Sequence, residues 1–167
     1  GQGIAGTLLA WAFERSGMDF EIADAGHAEA ASRVAAGIVN PITGQRFVKS
    51  WRVDELLPLA RAVYREMEAE LRIPIVREMR VWRIFSRPND REVAWAKVTR
   101  GDWHGYVVPE SFTEQGFWID SALQVDLPAL LAATRARWLA QGRLQQRRVT
   151  LAEEYGKRDL IIRCLGV

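Results

Sequence analysis

Glycines at positions 1, 3 and 6, in the run Gly1-Gln2-Gly3-Ile4-Ala5-Gly6, have the spacing of a turn that brings backbone against a diphosphate. In such a turn the first glycine makes the tight bend, and the second removes a Cβ from the path of the ligand. The third lets a helix lie close to a strand. Ile4 and Ala5 then fall in the first turn of a helix whose unpaired N–H groups and positive dipole end face the phosphates. An acid about 20 residues further on accepts the ribose hydroxyls of an adenosine in this arrangement. Asp24, followed by Ala25, stands at that distance. A carboxylate there repels a 2′-phosphate, so the chemistry predicted is that of a dinucleotide without one.

A second group of residues follows in Ala30-Ala31-Ser32-Arg33-Val34-Ala35-Ala36-Gly37-Ile38-Val39-Asn40-Pro41. Ser32 offers a hydroxyl and Arg33 a guanidinium, both suited to phosphate oxygens, and the small side chains around them permit close approach of backbone to something bulky. The same composition also reads as an Ala-rich helix packed on a neighbour with Arg33 solvated, and the residues alone leave both readings open. His27 and His104 lie in loops, and Cys164 ends an apolar run with no His near it in sequence. No residue is assigned a catalytic role, and no metal site is expected.

The elements that must position these groups follow from periodicity and punctuation. A helix begins near Ile4, with Ile4, Ala5, Leu8, Leu9, Ala10, Trp11 and Ala12 as a broad apolar face, and stops at Ser16-Gly17. A strand over 19–23, with Phe20 and Ile22 apolar, leads to Asp24. A longer amphipathic helix spans 53–72, capped by Asp54, with Leu56, Leu57, Leu59, Val63, Tyr64, Met67 and Leu71 at helical spacing and Pro74 closing it. Strands are predicted over 73–76 and 80–85, a turn over 86–90, a short helix over 91–99, and further strands over 107–108 and 116–120. Asp126 caps a helix carrying Leu127, Leu130, Leu131, Trp138 and Leu139 and ended by Gly142. Strands over 146–151 and 160–166 follow, the second a buried parallel one. Trp82, Phe85, Trp95, Trp103, Tyr106, Phe112, Phe117 and Trp118 either cover a ligand or form the core of the central strand block.

Composition narrows the classes. With 167 residues, 49% hydrophobic and 26% charged, the chain can bury a core of one domain or two small ones. No apolar run reaches membrane-spanning length, and no leader pattern of basic, apolar and small residues is visible. One cysteine excludes an internal disulfide framework and suits a reducing cytosol, so the expected location is cytoplasmic. A net charge of +2, with arginines scattered along the chain, gives no sign of a nucleic-acid partner.

The glycine run, Asp24 and the segment ASRVAAGIVNPITGQRFVKSW together resemble the N-terminal part of the FAD-dependent oxidoreductases of the D-amino-acid oxidase and glycine oxidase family. The likeness is close to a bacterial subset with the pattern NPxTGxRFVKSW, to which Arg46 and Trp51 belong. The resemblance implies an α/β chain, α+β overall, with a Rossmann-like FAD-binding half and an interposed, mostly antiparallel substrate-domain sheet that is incomplete. It divides the chain into 1–52 and 121–167 for the FAD-binding domain and 53–120 for part of the substrate domain. It implies FAD contacts from Gly1, Gly3, Ile4, Ala5, Gly6, Asp24 and Ala25, with Ser32 and Arg33 by the pyrophosphate. Ala36, Gly37, Ile38 and Asn40 would lie at the isoalloxazine, Val149 at the adenine through backbone groups, and Gly166 at a second strand end. For Arg46 three roles stay open: facing the flavin, facing a substrate carboxylate, or an exposed salt bridge. The implied activity is oxidation of a C–N bond in an amino acid or other small amine. Because no strand precedes Gly1 and the family continues well past Val167, the chain is expected to be part of a larger protein, its family's catalytic positions lying outside it. An NAD-dependent enzyme and a non-catalytic flavoprotein-like binding module are the alternatives.

Overall fold

Mixed α and β structure runs through the described residues, 1–26, 30–149 and 160–164 of the computed structural model. The elements in order are α1 (Ile4–Arg15), β1 (Ile22–Ala23), α2 (Ala31–Val34), β2 (Ile38–Val39), β3 (Ile42–Thr43), β4 (Val48–Lys49) and α3 (Val53–Leu71). Then come β5 (Val76–Ile84), α4 (Asp90–Thr99), a 3₁₀ turn (Pro109–Ser111), β6 (Gly116–Val125), α5 (Leu127–Ala140) and β7 (Leu144–Gln145). They form two compact units, residues 1–36 with 126–167, and residues 37–125. The sequence reading placed the divisions at 52/53 and 120/121. Pairing decides the observed ones, since Ile38 and Val39 of β2 lie antiparallel to Gln124 and Leu123 of β6 and carry the segment after Ala36 into the second unit.

In the first unit α1 starts at Gly3 and ends where expected, with Gly17 left-handed at φ 67°. Its buried stripe is narrower than the predicted face: Thr7, Ala10 and Trp11 are buried, whereas Ala5 and Ala12 are exposed. Glu14 continues that stripe and binds α5, accepting from Arg137 Nη2 at 3.1 Å, Trp138 Nε1 at 3.1 Å and Gln141 Nε2 at 2.9 Å. Asp126 caps α5 as predicted, accepting from Ala129 N–H at 3.0 Å. Of the strand predicted over 146–151, residues 146–149 form none and the rest lies outside the described residues; buried Leu144 is the residue that pairs, in parallel, with Ile22. Residues 160–164, expected in a buried strand, pair with no strand among the described residues and leave Leu160, Ile161 and Ile162 exposed.

The second unit is built on one long antiparallel hairpin. Residues 73–76 and 80–85 are not two strands: β5 runs unbroken from Val76, paired with Val125, to Ile84, paired with Gly116. β6 extends five residues past the predicted 120, through a bulge where Ser121 has φ 62°, after which Ala122 and Leu123 are both buried. Residues 107–108 form no strand. Asp54 does not cap α3, whose start is a left-handed Arg52; its carboxylate instead binds Lys49 Nζ at 2.6 Å and Tyr106 Oη at 3.0 Å. α3 buries Val53, Leu57, Tyr64 and Met67, and Leu56 and Leu59 stay outside. The core is aromatic: Phe112 stacks on Phe117 at 4.8 Å, Trp103 stacks on Phe117 at 5.3 Å, and Phe47 meets Phe85, Trp103 and Phe117 edge-on.

Gly37 sits at φ 68°, and a Cβ there would overlap the carbonyl oxygen of Val125, whose own N–H donates to Gly37 O at 2.9 Å. Gly37→Ala therefore combines an unfavourable left-handed alanine with a backbone clash, and should destabilise the chain by about 2 kcal/mol or more in urea unfolding. An unchanged midpoint would show that the backbones are not in contact there.

Candidate cofactor-binding site

Four backbone N–H groups at a helix start have no intrahelical acceptor, and at α1 they are left unusually open. Gly3 provides no side-chain cap. Ser32 Oγ accepts from Ile4 N–H at 3.0 Å, while the N–H groups of Ala5 and Gly6 have no acceptor among the described residues. Ser32 comes from α2, which the sequence left open between a ligand-wrapping segment and a packed Ala-rich helix. It is a single turn of four residues with none of them buried, lying against α5. The Arg33 guanidinium on that turn has no partner among the described residues. N–H groups without an acceptor among the described residues, the helix dipole, the Ser32 hydroxyl and the guanidinium of the residue next to it are donors of the kind suited to a diphosphate.

The three glycines are fixed by chain packing as well. A Cβ on Gly6 would overlap the carbonyl oxygen of Gly1, one on Gly1 would stand 2.5 Å from the Cys164 carbonyl oxygen, and one on Gly3 would press on Ser32 Oγ at 3.2 Å. Residues 160–164, although in no strand among the described residues, thus bring Cys164 against the glycine turn.

Between these glycines lies a residue that sequence reasoning passed over. Gln2 is 3% exposed. Its Nε2 donates to Leu131 O at 2.9 Å and Thr134 Oγ1 at 3.1 Å, its Oε1 accepts from Arg135 Nη1 at 3.0 Å, and its backbone N–H donates to Asp24 Oδ1 at 2.9 Å. Arg135 Nη1 also lies 2.8 Å from Asp24 Oδ2, which accepts from Gly26 N–H at 3.0 Å as well. Asp24 is therefore where the spacing put it, but it is not a free acid: only Oδ1 keeps room for a second donor, such as one ribose hydroxyl. Its charge is met by Arg135, so the expected repulsion of a 2′-phosphate is much reduced. Gln2 occupies a variable position of the fingerprint and Arg135 lies 111 residues from Asp24, so spacing carried no signal for either.

Other expected contacts are more dispersed. In the first unit Ala25 and Ala36 are exposed and Val149 is half-buried. In the second, Gly37 serves the Val125 contact, Ile38 is exposed, and Asn40 turns into its own loop, with Oδ1 accepting from Ile42 N–H at 3.1 Å. Trp103, Tyr106 and Phe117 are core, while Trp95 and Trp118 are exposed. His104 is exposed, as expected of a loop histidine; His27 and Gly166 lie outside the described residues. Among the described residues no group of acids, histidines and cysteine is arranged to hold a metal, and no helix is long and apolar enough to cross a membrane. Compared with family models, curated proteins and solved structures, the chain matches none.

Burial alone would raise the Asp24 carboxyl, but the Gln2 N–H and the Arg135 guanidinium outweigh it and hold its pKa below the ordinary 3.8. A depressed folded-state value contributes stability that is present above the unfolded value and is lost as pH falls through the folded one. Arg135→Ala should cost about 1–3 kcal/mol at neutral pH, since it strips a partly buried carboxylate of its counter-ion. It should also flatten the loss of stability below about pH 4. Urea midpoints measured across that range check both, and a parallel downward shift at every pH would mean that Arg135 acts by packing alone.

Proposed function

We propose that the chain contributes the FAD-binding part of an oxidoreductase that oxidises a C–N bond of an amino acid or other small amine. The observation that carries this reading is the start of α1, where the Ala5 and Gly6 N–H groups have no acceptor among the described residues, Ser32 Oγ sits on the Ile4 N–H, and Asp24 is held at the next strand end. Parallel pairing of β1 with β7, each strand following a helix that packs on the other, supports a Rossmann-like half. The antiparallel sheet β2–β6–β5 supports an interposed substrate domain.

The residues present fit a dinucleotide in these terms. The α1 amides, Ser32 and Arg33 would hold the diphosphate, and Asp24 Oδ1 would accept one ribose hydroxyl. Ala36, Gly37, Ile38 and Asn40 are the residues that the resemblance assigns to the ring. When bound, the flavin supplies a two-electron acceptor for the carbon that bears the amine. The part played by this chain is to bind, orient and shield that group. No proton-transfer role is given to His104, which is exposed.

Addition of FAD to the full-length protein should give a bound flavin band near ~450 nm that bleaches anaerobically with a small amine or amino acid. Gly3→Val should abolish that binding, because its branched side chain would crowd Ser32 Oγ and the space before the α1 amides. Retention of NAD with no flavin would replace the reading with a nicotinamide enzyme, and binding of neither would remove it.

A further inference from the structure

In the second unit four cations gather at one turn without acidic partners. Arg46, Arg83, Arg87 and Lys97 surround the turn between β3 and β4, and none makes an ion pair among the described residues. Elsewhere in the same unit Arg61 pairs with Glu78, Arg80 with Asp120 and Arg91 with Glu114, while Arg72 and Arg77 make no ion pair among the described residues.

Two of the four cations build the turn. Lys97 Nζ donates to the carbonyls of Arg46 at 2.7 Å and Phe47 at 3.0 Å, and Arg83 Nη2 donates to Gly44 O at 2.9 Å. Arg83 Nε is buried without a partner, and the guanidinium lies 5.1 Å over the Phe47 ring. Phe47 itself is 1% exposed and held left-handed at φ 50°, a conformation that a phenylalanine keeps only where its surroundings impose it. This fixed turn presents Gln45 and Arg46 to a cleft of about 370 Å³, faced from the other side by Arg87, Pro88, Asn89 and Val93. Asp90 also lines the cleft, but its Oδ2 is taken up by the N–H groups of Ser86 at 2.9 Å and Arg87 at 3.0 Å. With two guanidinium groups and one acid, the lining has a surplus of one positive charge, which a monoanion neutralises.

We propose that this cleft binds a small organic carboxylate, its oxygens on Arg46 and Arg87 and its apolar body on Pro88 and Val93. Guanidinium forks match a carboxylate in geometry as well as charge. No residue of the first unit takes part, so a protein that fails to bind FAD still reports on this cleft.

The test is titration of the full-length protein with hexanoate, and separately with inorganic phosphate and hexylamine, observing the arginine Nε–Hε resonances by NMR. Hexanoate should saturate the Arg46 and Arg87 signals with a dissociation constant on the order of 1 mM, weakening as salt is added. Arg46→Gln with Arg87→Gln should raise that constant at least about tenfold, and Arg33→Gln should leave it unchanged. Both substituted side chains are exposed, and an unchanged melting temperature confirms that the double variant folds. Failure to saturate, saturation that the double variant does not alter, or equal response to hexylamine would each overturn the proposal. Saturation by phosphate but not by hexanoate would also overturn it, since the site would then take an anion without an organic body.

Discussion

A single buried amide holds the glycine turn in place. Both protons and the oxygen of the Gln2 side chain are bonded to α5, to Leu131, Thr134 and Arg135, more than 125 residues away in the chain. A buried amide with any of these bonds missing costs more than its partners return, so the arrangement is close to all-or-none. The open N–H groups of α1 are therefore aimed by a helix from the far side of the sequence. Glu14 repeats the device one helix length away, binding Arg137 and Trp138 of the same α5 and Gln141 just past its end. Its carboxyl is raised by burial but brought below its ordinary value by those three donors. The two clamps fix α1 at both ends, so neither its tilt nor its register along α5 is free.

The second unit obtains the same rigidity by different means. Its hairpin is register-locked by bulging at Ser121, and its aromatic core gathers on Phe117. Phe47 reaches that core from a turn, and the backbone pays for it with a left-handed conformation. Cation-to-carbonyl bonds from Lys97 and Arg83 hold the turn closed. Rigid placement is thus achieved by side-chain hydrogen bonds to one helix in the first unit and by ring packing under a strained turn in the second.

Local signals were legible where one residue type has one mechanical use. Gly3 and Gly17 at the ends of α1, Asp126 at the start of α5 and the Asp90 turn were all visible in the sequence. Errors came where pairing partners decide. Residues 73–76 and 80–85 read as separate strands, yet the ladder to β6 runs through the residues between them. A strand was expected over 146–151, but the residue that pairs with Ile22 is Leu144. Asp54 had the chemistry of a cap and was drawn instead to Lys49 and Tyr106. At the candidate site, spacing located Asp24 and composition located Ser32, since both lie within one supersecondary unit. Gln2 and Arg135 were invisible for the converse reason: their meaning depends on a helix whose position no local pattern encodes.

The chain has one thiol, and it stands half-buried against the glycine turn, so close that a Cβ added at Gly6 would come within 3.3 Å of the Cys164 Cβ. A reagent that modifies cysteine therefore reports on a single place in this molecule. Labelling speed becomes a local clock for how often the turn and residues 160–164 part, measured without introducing any foreign residue.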